Sequence, residues 1–444
     1  MRSFLLLLVL LTLLTAPKAD AASLKWFKGN LHTHSLWSDG DDFPEMIAEW
    51  YKTNGYDFLA FSDHNTLQSG EKWMPMTSNA RKLALQKYVQ RFGTNWVQSR
   101  WGTITNKDGL VSDANWVRLK PFTEFAPLVA RKDKYLLIPG EEISAQHLKA
   151  PIHLGAINLR ELIPPLKGTS VVDVMEQNVD AVYDQRARTG QAMFPHVNHP
   201  NFKWAITAEE LMQVRRGQLF EVYNGHAEVH NSGDNTHADT ERVWDIMLTR
   251  RLAELGLPVM YGIGTDDGHH YHEWLPTRSN PGRGWVVVHA RELSPTKLIE
   301  AMEAGDFYAS SGVELKDIEV DSKSYRVEVK AERGVTYKIQ FIGTRHGYDP
   351  RSEPTAVKPG AELGVTRRYS ADIGTVLAEA SGKSATYKFK GNEIYVRTKV
   401  ISSRLNVAEQ RGKEPIDRQV LARNPFAYQA AWTQPTVPTR ESAK

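Results

Sequence analysis

The sequence predicts an α/β fold in which a (β/α) barrel is followed by an antiparallel β-sandwich, and three observations support this prediction. From residue 24 to residue 304, short apolar segments typical of strands alternate with segments of helical periodicity. Acidic residues and histidines follow most of these roughly seven strands, as they do where the loops of a barrel build one site. From Val313 the pattern changes to short segments of alternating polarity, which indicate antiparallel strands. A doubly wound open sheet is the main alternative, but polar residues at nearly every strand end favour the barrel.

The first strand leads into residues 29–40, the segment that carries the first candidate ligands. His32 and His34 are separated by one residue, so on a strand their side chains project from one face and can hold one cation. Asp39 follows at a turn and adds a carboxylate. A single pair of this kind also arises by chance, so the prediction of a metal site depends on ligands from later strands.

The later strands and helices alternate along the chain with one interruption. The predicted strands cover residues 24–27, 56–61, 135–140, 152–157, 192–197, 219–224, 259–264 and 285–288. The predicted helices begin at Pro44, with Asp42 as its cap, and near residues 80, 171, 240 and 295. Residues 68–132 form a tryptophan- and arginine-rich insertion, which is either a lid or pocket wall or a structural excursion packed on the barrel.

These patterns predict three segments: a signal peptide over residues 1–21, a barrel over 22–312 that contains the insertion, and a β-sandwich over 313–444. The last segment shows period-2 patterning at residues 325–329, 337–341, 385–389 and 393–397, and closes near Trp432. It contains no catalytic constellation, so we expect it to pack against the barrel, with carbohydrate binding as the alternative.

The beginning of the chain predicts export. Met1 and Arg2 give a short positive start, and residues 4–15 are mostly leucine. Residues 19–21 then have the small-x-small pattern of a signal peptidase site. The apolar run of roughly 12 residues is short for a membrane span. We therefore expect a periplasmic or secreted mature protein without a stable membrane anchor.

The composition of the chain limits its possible partners and metal ligands. With 41% apolar and 24% charged residues over 444 positions, the chain is globular and long enough for two domains. A net charge of +3 without any lysine- or arginine-rich block gives no support for nucleic-acid binding. The chain has no cysteine, so it has no disulfides, which fits a bacterial periplasm. A metal would have to be held by His, Asp, Glu or water.

Further candidate ligands follow the later strands. They are His64, Glu142, His153, His199, Asp267 and His269. Together with the ligands of residues 29–40, this imidazole and carboxylate set is too large for one tetrahedral ion and suits two or three divalent cations, with Zn, Mn and Fe all accepting these ligands. Glu141 competes with Glu142 as a ligand, and His196 competes with His199.

The order of these motifs resembles the polymerase and histidinol phosphatase (PHP) family of metallohydrolases. The matching motifs are His32-Thr33-His34, Ser38-Asp39-Gly40, Phe61-Ser62-Asp63-His64-Asn65-Thr66, Gly140-Glu141-Glu142-Ile143, His153-Leu154-Gly155, Asn198-His199-Pro200 and Asp267-Gly268-His269. A looser resemblance, carried by residues 284–288, residues 307–312, the export signal and the trailing β-segment, points to the extracytoplasmic carbaryl-hydrolase-like branch.

The resemblance implies a distorted seven-stranded barrel and a trinuclear site. It implies that His32, His34, Glu142 and Asp267 bind one metal, that Glu142 bridges to a second held by His153 and His199, and that Asp39, His64 and His269 hold the third. The register of the Gly-x-Glu motif favours Glu142 over Glu141, and the His-Pro match favours His199 over His196.

Other polar residues near the motifs are candidates for catalysis or support. Asp63 would point away from His64 on a strand, so we interpret it as an outer residue that orients ligands or carries a proton. His270 is a candidate for substrate contact, while Asp266 and His272 are expected to support the loop. Arg278 and Arg283 are candidates for clamping phosphate, although surface arginines are the more common explanation.

Charge predicts the substrate class. Three divalent cations would exceed the three carboxylates of the site by about three positive charges, which favours a small anionic substrate such as a phosphate ester. The leading hypothesis is therefore an exported phosphoesterase that uses a metal-bound hydroxide. The alternative is hydrolysis of a carboxyl ester, carbamate or amide, and a third class is a non-catalytic, metal-stabilised binding protein.

Overall fold

A computed structural model of the protein describes residues 23–105, 107–357, 363–409 and 424–439. The predicted signal peptide lies outside these residues. The helices are α1 (Pro44–Thr53), α2 (Asn79–Phe92), α3 (Phe122–Val129), α4 (Val171–Thr189), α5 (Ala208–Leu211), α6 (Thr240–Arg250) and α7 (Pro295–Ala304). A π-helical turn over Arg251–Leu255 continues α6. Among the described residues, no helix is both long and apolar enough to cross a membrane.

The strands fall into a first group before residue 312 and a second group after it. The first group is β1 (Lys25–Asn30), β2 (Phe58–Ala60), β3 (Lys72–Pro75), β4 (Ser99–Thr105), β5 (Val111–Leu119), β6 (Leu136–Ile138), β7 (Gly140–His147), β8 (Ala150–Ile157), β9 (Phe194–Val197), β10 (Leu219–Asn224), β11 (Tyr261–Thr265), β12 (Trp285–Ala290) and β13 (Phe307–Ser310). The second group is β14 (Leu315–Val320), β15 (Ser324–Val329), β16 (Tyr337–Arg345), β17 (Ser352–Glu353), β18 (Arg368–Tyr369), β19 (Thr375–Ser381), β20 (Ser384–Lys388), β21 (Glu393–Leu405) and β22 (Tyr428–Thr433).

Two large sheets form the centre of this mixed α/β fold. One has nine strands in the order β19-β16-β21-β22-β13-β12-β1-β2-β6, and the other has five in the order β11-β10-β9-β8-β7. Isolated parallel bridges, Thr33 with Gly268 and His64 with Glu142, join the two sheets. In the described part of the chain no sheet closes on itself through continuous strand pairing, so the predicted seven-stranded barrel is not confirmed.

The five-stranded sheet departs from the predicted alternation of strands and helices. Strands β7 and β8 form an antiparallel pair with Glu142 opposite Gly155, and no helix lies between them. Glu142 therefore lies inside a strand rather than in a loop after one. Strands β9, β10 and β11 are parallel, and the chain between them passes through α5 and α6. The parallel strands are apolar because both of their faces are covered; all six residues of β10 are buried.

The strands after residue 312 pair antiparallel with one another, as their alternating pattern predicts. Part of this segment continues the nine-stranded sheet, because β22 pairs with β13. A three-stranded sheet, β14-β15-β20, lies apart from it. One sheet thus contains strands from both sides of residue 312, and a separate C-terminal sandwich is not confirmed.

The insertion contains a three-stranded antiparallel sheet, β3-β5-β4, and the helix α2. Helix α2 matches the predicted helix closely, and Ser78 Oγ caps it by accepting the Arg81 N–H at 3.2 Å. The expected cap of α1 is wrong in detail. Asp42 accepts the N–H of Phe43 at 2.8 Å, and the helix begins with Pro44, whose missing N–H needs no partner there.

Candidate metal centre

Nine side chains that the sequence predicts as metal ligands lie together where the two large sheets meet. They form four groups, and within each group the ligand atoms lie within 4.8 Å of one another. The groups are His34, Asp39, His64 and His269; His32, His34 and Glu142; His32, His199 and Asp267; and His64, Glu142 and His153. Each of these groups could hold a metal ion.

Glu142 is the central carboxylate of the cluster. Its Oε1 lies 3.1 Å from His199 Nε2, 3.2 Å from His153 Nδ1 and 3.3 Å from His32 Nε2. Its Oε2 lies 2.6 Å from His64 Nδ1. The side chain of Glu142 is only 1% exposed, so its two oxygens face imidazole nitrogens rather than solvent. A carboxylate surrounded in this way can bridge two cations.

Asp267 is the second buried carboxylate. Its Oδ1 lies 3.1 Å from His34 Nε2 and 3.3 Å from His32 Nε2. The backbone of Asp267 is left-handed, with φ +49, a conformation that aspartate tolerates better than most residues. Its N–H donates to the carbonyl of His32 at 3.1 Å, which fixes the end of β11 against the segment after β1.

The group that contains Asp39 lies at the mouth of the site. Asp39 Oδ1 lies 3.3 Å from His269 Nε2 and 3.6 Å from His34 Nδ1, and Oδ2 lies 3.5 Å from His64 Nε2. The side chain of Asp39 is 56% exposed, whereas that of His34 is fully buried. A cation held by this group would thus be closer to solvent than one held by Glu142 and Asp267.

The residues present fit divalent cations. Four buried atoms of the cluster have no hydrogen-bond partner among the described residues: His32 Nε2, His34 Nε2, Glu142 Oε2 and Asp267 Oδ1. The approach of His64 Nδ1 to Glu142 Oε2 does not have hydrogen-bond geometry. An unsatisfied buried polar atom costs about 1–3 kcal/mol, so four that converge on one volume indicate a ligand for them. Nitrogen and oxygen donors without thiolate suit Zn, Mn or Fe.

The electrostatics of the cluster favour positive charge. Burial alone would raise the pKa of Glu142, but the imidazoles of His153, His64 and His32 hold it well below its usual value. Burial alone would lower the pKa of His32, but Asp267, Glu221 and Glu142 raise it well above its usual value. The carboxylates therefore remain ionised and create the field that a cation requires.

Glu221 supports the centre, and the sequence analysis missed it. Its Oε1 lies 2.7 Å from His32 Nδ1 and accepts the Thr265 hydroxyl at 2.7 Å. Its Oε2 accepts the backbone N–H of His199 at 2.8 Å and Asn224 Nδ2 at 2.7 Å. Its contact with His32 orients the opposite ring nitrogen toward the cluster. The available signal was a charged residue in the otherwise apolar strand β10.

Two asparagines also hold the carboxylates in place. Asn198 Nδ2 donates to Glu142 Oε1 at 2.7 Å, while its Oδ1 accepts the Gly155 N–H at 2.9 Å. Asn224 Nδ2 donates to Asp267 Oδ2 at 3.1 Å. The NH2 group of each asparagine donates to a carboxylate, so both asparagines position ligand oxygens and do not themselves serve as ligands.

Glu141 and His196, the competing candidates, lie outside the four groups. Glu141 points to the opposite face of β7 from Glu142, where its Oε1 accepts the Ile163 N–H at 2.7 Å. Burial there raises the pKa of Glu141 to about 8. His196 packs against Gly155, where an added Cβ would lie 2.1 Å from its Nε2. Neither residue belongs to the four groups.

Asp63 lies beneath the loop that carries His34 and Asp39. Its Oδ1 accepts the Ser35 N–H at 2.8 Å and the Ser38 hydroxyl at 2.6 Å. Its Oδ2 accepts the Ser35 hydroxyl at 2.8 Å and Gln68 Nε2 at 2.7 Å. These four hydrogen bonds fix the loop conformation, which is the contribution of an orienting residue.

The other predicted residues lie in the loops between β11 and β12. His270 lines the cavity above the cluster, and its Nδ1 accepts the Ser279 N–H at 3.3 Å. The buried Arg283 guanidinium donates to the carbonyls of Gly225 at 3.3 Å and Leu275 at 2.7 Å and to Asn280 Oδ1 at 2.9 Å, contacts that hold loops together. Arg278 pairs with Glu273 at 2.6 Å.

Asp266 and His272 also contact the surrounding loops. Asp266 accepts the Tyr51 hydroxyl and the Gly284 N–H, each at 2.8 Å. His272 Nδ1 lies 3.0 Å from Lys87 Nζ, which joins this loop to α2 of the insertion. Neither side chain belongs to a ligand group.

A cavity of about 340 Å³ opens above the cluster. Besides seven of the predicted ligands, its described lining residues are Phe202, His226, Glu228 and His270. Three of these four, all but His270, were missed by the sequence analysis, because they lie in loops after β9 and β10 that match no ligand motif.

Comparison with known proteins finds similarity to solved structures only. No protein-family model matches the chain, and no curated protein matches it. A solved structure from Bacteroides vulgatus, described as a two-domain protein containing a predicted PHP-like metal-dependent phosphoesterase, is 14% identical. The match covers 86% of this chain and 92% of that one, with a TM-score of 0.36.

Proposed function

We propose that this chain is an exported, metal-dependent hydrolase that acts on phosphate esters. The observation that carries the proposal is the convergence of four buried ligand atoms, each without a hydrogen-bond partner among the described residues, beneath an open cavity. Such a centre is open to a small molecule from one side. The leucine-rich beginning of the chain supports export.

The charge of the centre supports an anionic substrate. Two or three divalent cations would exceed the charge of Asp39, Glu142 and Asp267, so the loaded site would attract a phosphate group. When bound, such cations polarise a phosphoryl oxygen and lower the pKa of water. The residues of the chain supply the geometry: Glu221 orients His32, and Asp63 fixes the loop that carries Asp39.

His270 is the side chain best placed to donate a hydrogen bond to the substrate. Because its Nδ1 accepts the Ser279 N–H, the neutral ring carries its hydrogen on Nε2. Burial lowers the pKa of His270, which keeps the ring neutral near pH 7. A neutral imidazole N–H in the cavity can donate a hydrogen bond to a substrate oxygen.

Metal analysis together with a substrate panel tests the proposal. The chain is purified without chelator and its metal content is measured. Phosphate release is followed with aryl and alkyl phosphomonoesters, and alcohol release is followed with phosphodiesters. We expect two to three equivalents of transition metal and release of phosphate that chelation abolishes. Faster turnover of aryl acetates or carbamates than of phosphates would establish the carboxyl-ester alternative. Bound metal with no hydrolysis of any ester would contradict an enzymatic role.

A further inference from the structure

The cavity has a second wall that the metal ligands do not form. Its residues are Phe202, His226 and Glu228, from the loops that follow β9 and β10. Phe202 and Val229 form an antiparallel bridge, and Asn201 Nδ2 donates to the carbonyl of His230 at 2.9 Å. The two loops therefore form one unit. We refer to Phe202, His226 and Glu228 as the second wall.

Each residue of the second wall offers a different kind of contact. The ring of Phe202 lies 5.0 Å from that of His199 and 6.1 Å from that of His153, so its apolar surface adjoins the ligand cluster. His226 Nδ1 accepts the Glu228 N–H at 3.1 Å, so the imidazole holds the backbone that carries Glu228. The carboxylate of Glu228 is exposed at the rim.

We propose that the second wall binds the alcohol part of a phosphomonoester and selects an alcohol that carries a hydroxyl or ammonium group and no second negative charge. The inference rests on the proposed function, because the phosphate would occupy the metal side. Phe202 then packs on the ring or chain of the alcohol, and Glu228 accepts hydrogen bonds from its polar group. The cavity of about 340 Å³ is near the lower end of ligand pockets, roughly 300–1,000 Å³, so the alcohol is small.

The charge of Glu228 at the rim of the cavity determines which substrates are preferred. The metal side attracts one phosphate, whereas the Glu228 carboxylate repels a second phosphate or carboxylate. An exposed charge in water acts weakly, so we expect an effect of about two- to fivefold. Packing of an aromatic ring on Phe202 contributes about two- to tenfold, since such pairs are worth more than their area alone.

The test uses the metal-reconstituted full chain with three substrates: phenyl phosphate, 4-(aminomethyl)phenyl phosphate and 4-carboxyphenyl phosphate. Binding of the three corresponding benzylphosphonates, measured by calorimetry, gives a readout that does not depend on turnover. We expect the wild type to favour the aminomethyl compound over the carboxy compound by about two- to fivefold. Glu228→Gln should remove most of this preference, and Glu228→Lys should reverse it.

Glu292→Gln is the matched control, because Glu292 is exposed and does not line the cavity. It should keep the wild-type preference. Phe202→Ala, with metal content verified, should raise the KM of phenyl phosphate more than that of ethyl phosphate. The inference would be overturned if neither the wild type nor Glu228→Lys preferred the aminomethyl compound or the carboxy compound over the other. Ordered phosphonate binding without any phosphate release would instead contradict only the proposed function.

Discussion

The Nδ1 atom of His32 lies 2.7 Å from Oε1 of Glu221, and both side chains are fully buried. This contact explains how one ring nitrogen of His32 faces the cluster, because the other is committed to the carboxylate. The same carboxylate accepts the backbone N–H of His199, so one residue positions ligands from two loops. Metal affinity should therefore depend on a residue that is not itself a ligand.

Glu221→Gln should weaken metal binding by about 10- to 100-fold, the usual effect of removing an outer carboxylate from a ligating histidine. The amide can still accept the His32 N–H, but it lacks the charge and turns a donor toward the His199 N–H. Titration of the metal-free protein measures the change. Glu141→Gln is the control, because Glu141 is an equally buried neighbour outside the cluster. Equal effects of the two substitutions would refute the positioning role.

Replacing His32 and His34 together by alanine should lower metal content and reduce the stabilisation that metal provides. A ligand that binds only the native state at 100 times its Kd adds about 2.7 kcal/mol to the free energy of unfolding. Thermal unfolding with and without added metal measures this difference. Chelation should lower the Tm of the double variant less than that of the wild type, because only the group of His64, Glu142 and His153 keeps all its ligands. Equal metal-dependent shifts of Tm in the two proteins would contradict a ligand role for His32 and His34.

Asp39→Asn should affect only the cation nearest to solvent. Asp39 belongs to one ligand group, whereas Glu142 belongs to two that are more buried. We expect the variant to lose about one equivalent of metal and to keep the remainder, since the inner groups retain all their ligands. Elemental analysis after dialysis measures how many equivalents of metal the variant retains. Complete loss of metal would show that the groups fill as a single unit.

The sequence alone predicts much of the site, because ligands at strand ends form short motifs. The members of each pair, His32 with His34 and Asp267 with His269, are separated by one residue, and the pairs directly follow β1 and β11, so each pair marks a strand end in the sequence. The supporting residues could not be found in this way. Glu221 is 189 residues from His32 along the chain, and a single carboxylate in an apolar strand names no partner.

The order of the strands in the sheets could not be predicted from the sequence pattern either. Period-2 alternation predicts strands at residues 337–341 and 393–397, but it does not predict that Ala309 of β13 pairs with Trp432 of β22. Alternation is a local property, whereas this pairing joins residues far apart in the chain. The hairpin of β7 and β8 was not predicted, for a different reason. Glu142 follows an apolar run that ends as β6 at Ile138, but a second strand, β7, begins at Gly140 and contains Glu142.

Glu45 should make stability depend on pH. Burial raises the pKa of Glu45 from 4.5 to about 7. The Tyr88 hydroxyl, which donates to Glu45 at 2.6 Å, has the opposite but smaller effect. The protonated form is favoured in the folded state, so this stabilisation is complete below pH 4.5 and is lost as the pH rises to 7. Glu45→Gln should gain about 3 kcal/mol relative to wild type between pH 4 and pH 8. Urea unfolding at both pH values measures it; a constant difference would contradict the assignment.

Helix α6 and strand β21 are joined by a buried ion pair. Arg397 donates to Asp245 through Nε at 2.8 Å and Nη2 at 2.7 Å, and the Tyr395 hydroxyl donates to the same carboxylate at 2.7 Å. Arg397→Met should cost about 3–5 kcal/mol, because it leaves a buried carboxylate with one hydroxyl partner.

Adding Asp245→Asn to the Arg397→Met variant tests the cause. If the unpaired charge causes the loss, the double variant should regain part of the stability that the single variant lost, because the amide carries no charge. Chemical unfolding of wild type, both single variants and the double variant completes the cycle. Additive losses would mean that packing around the Arg397 side chain, which lies 4.8 Å from the Trp244 ring, matters more than charge pairing.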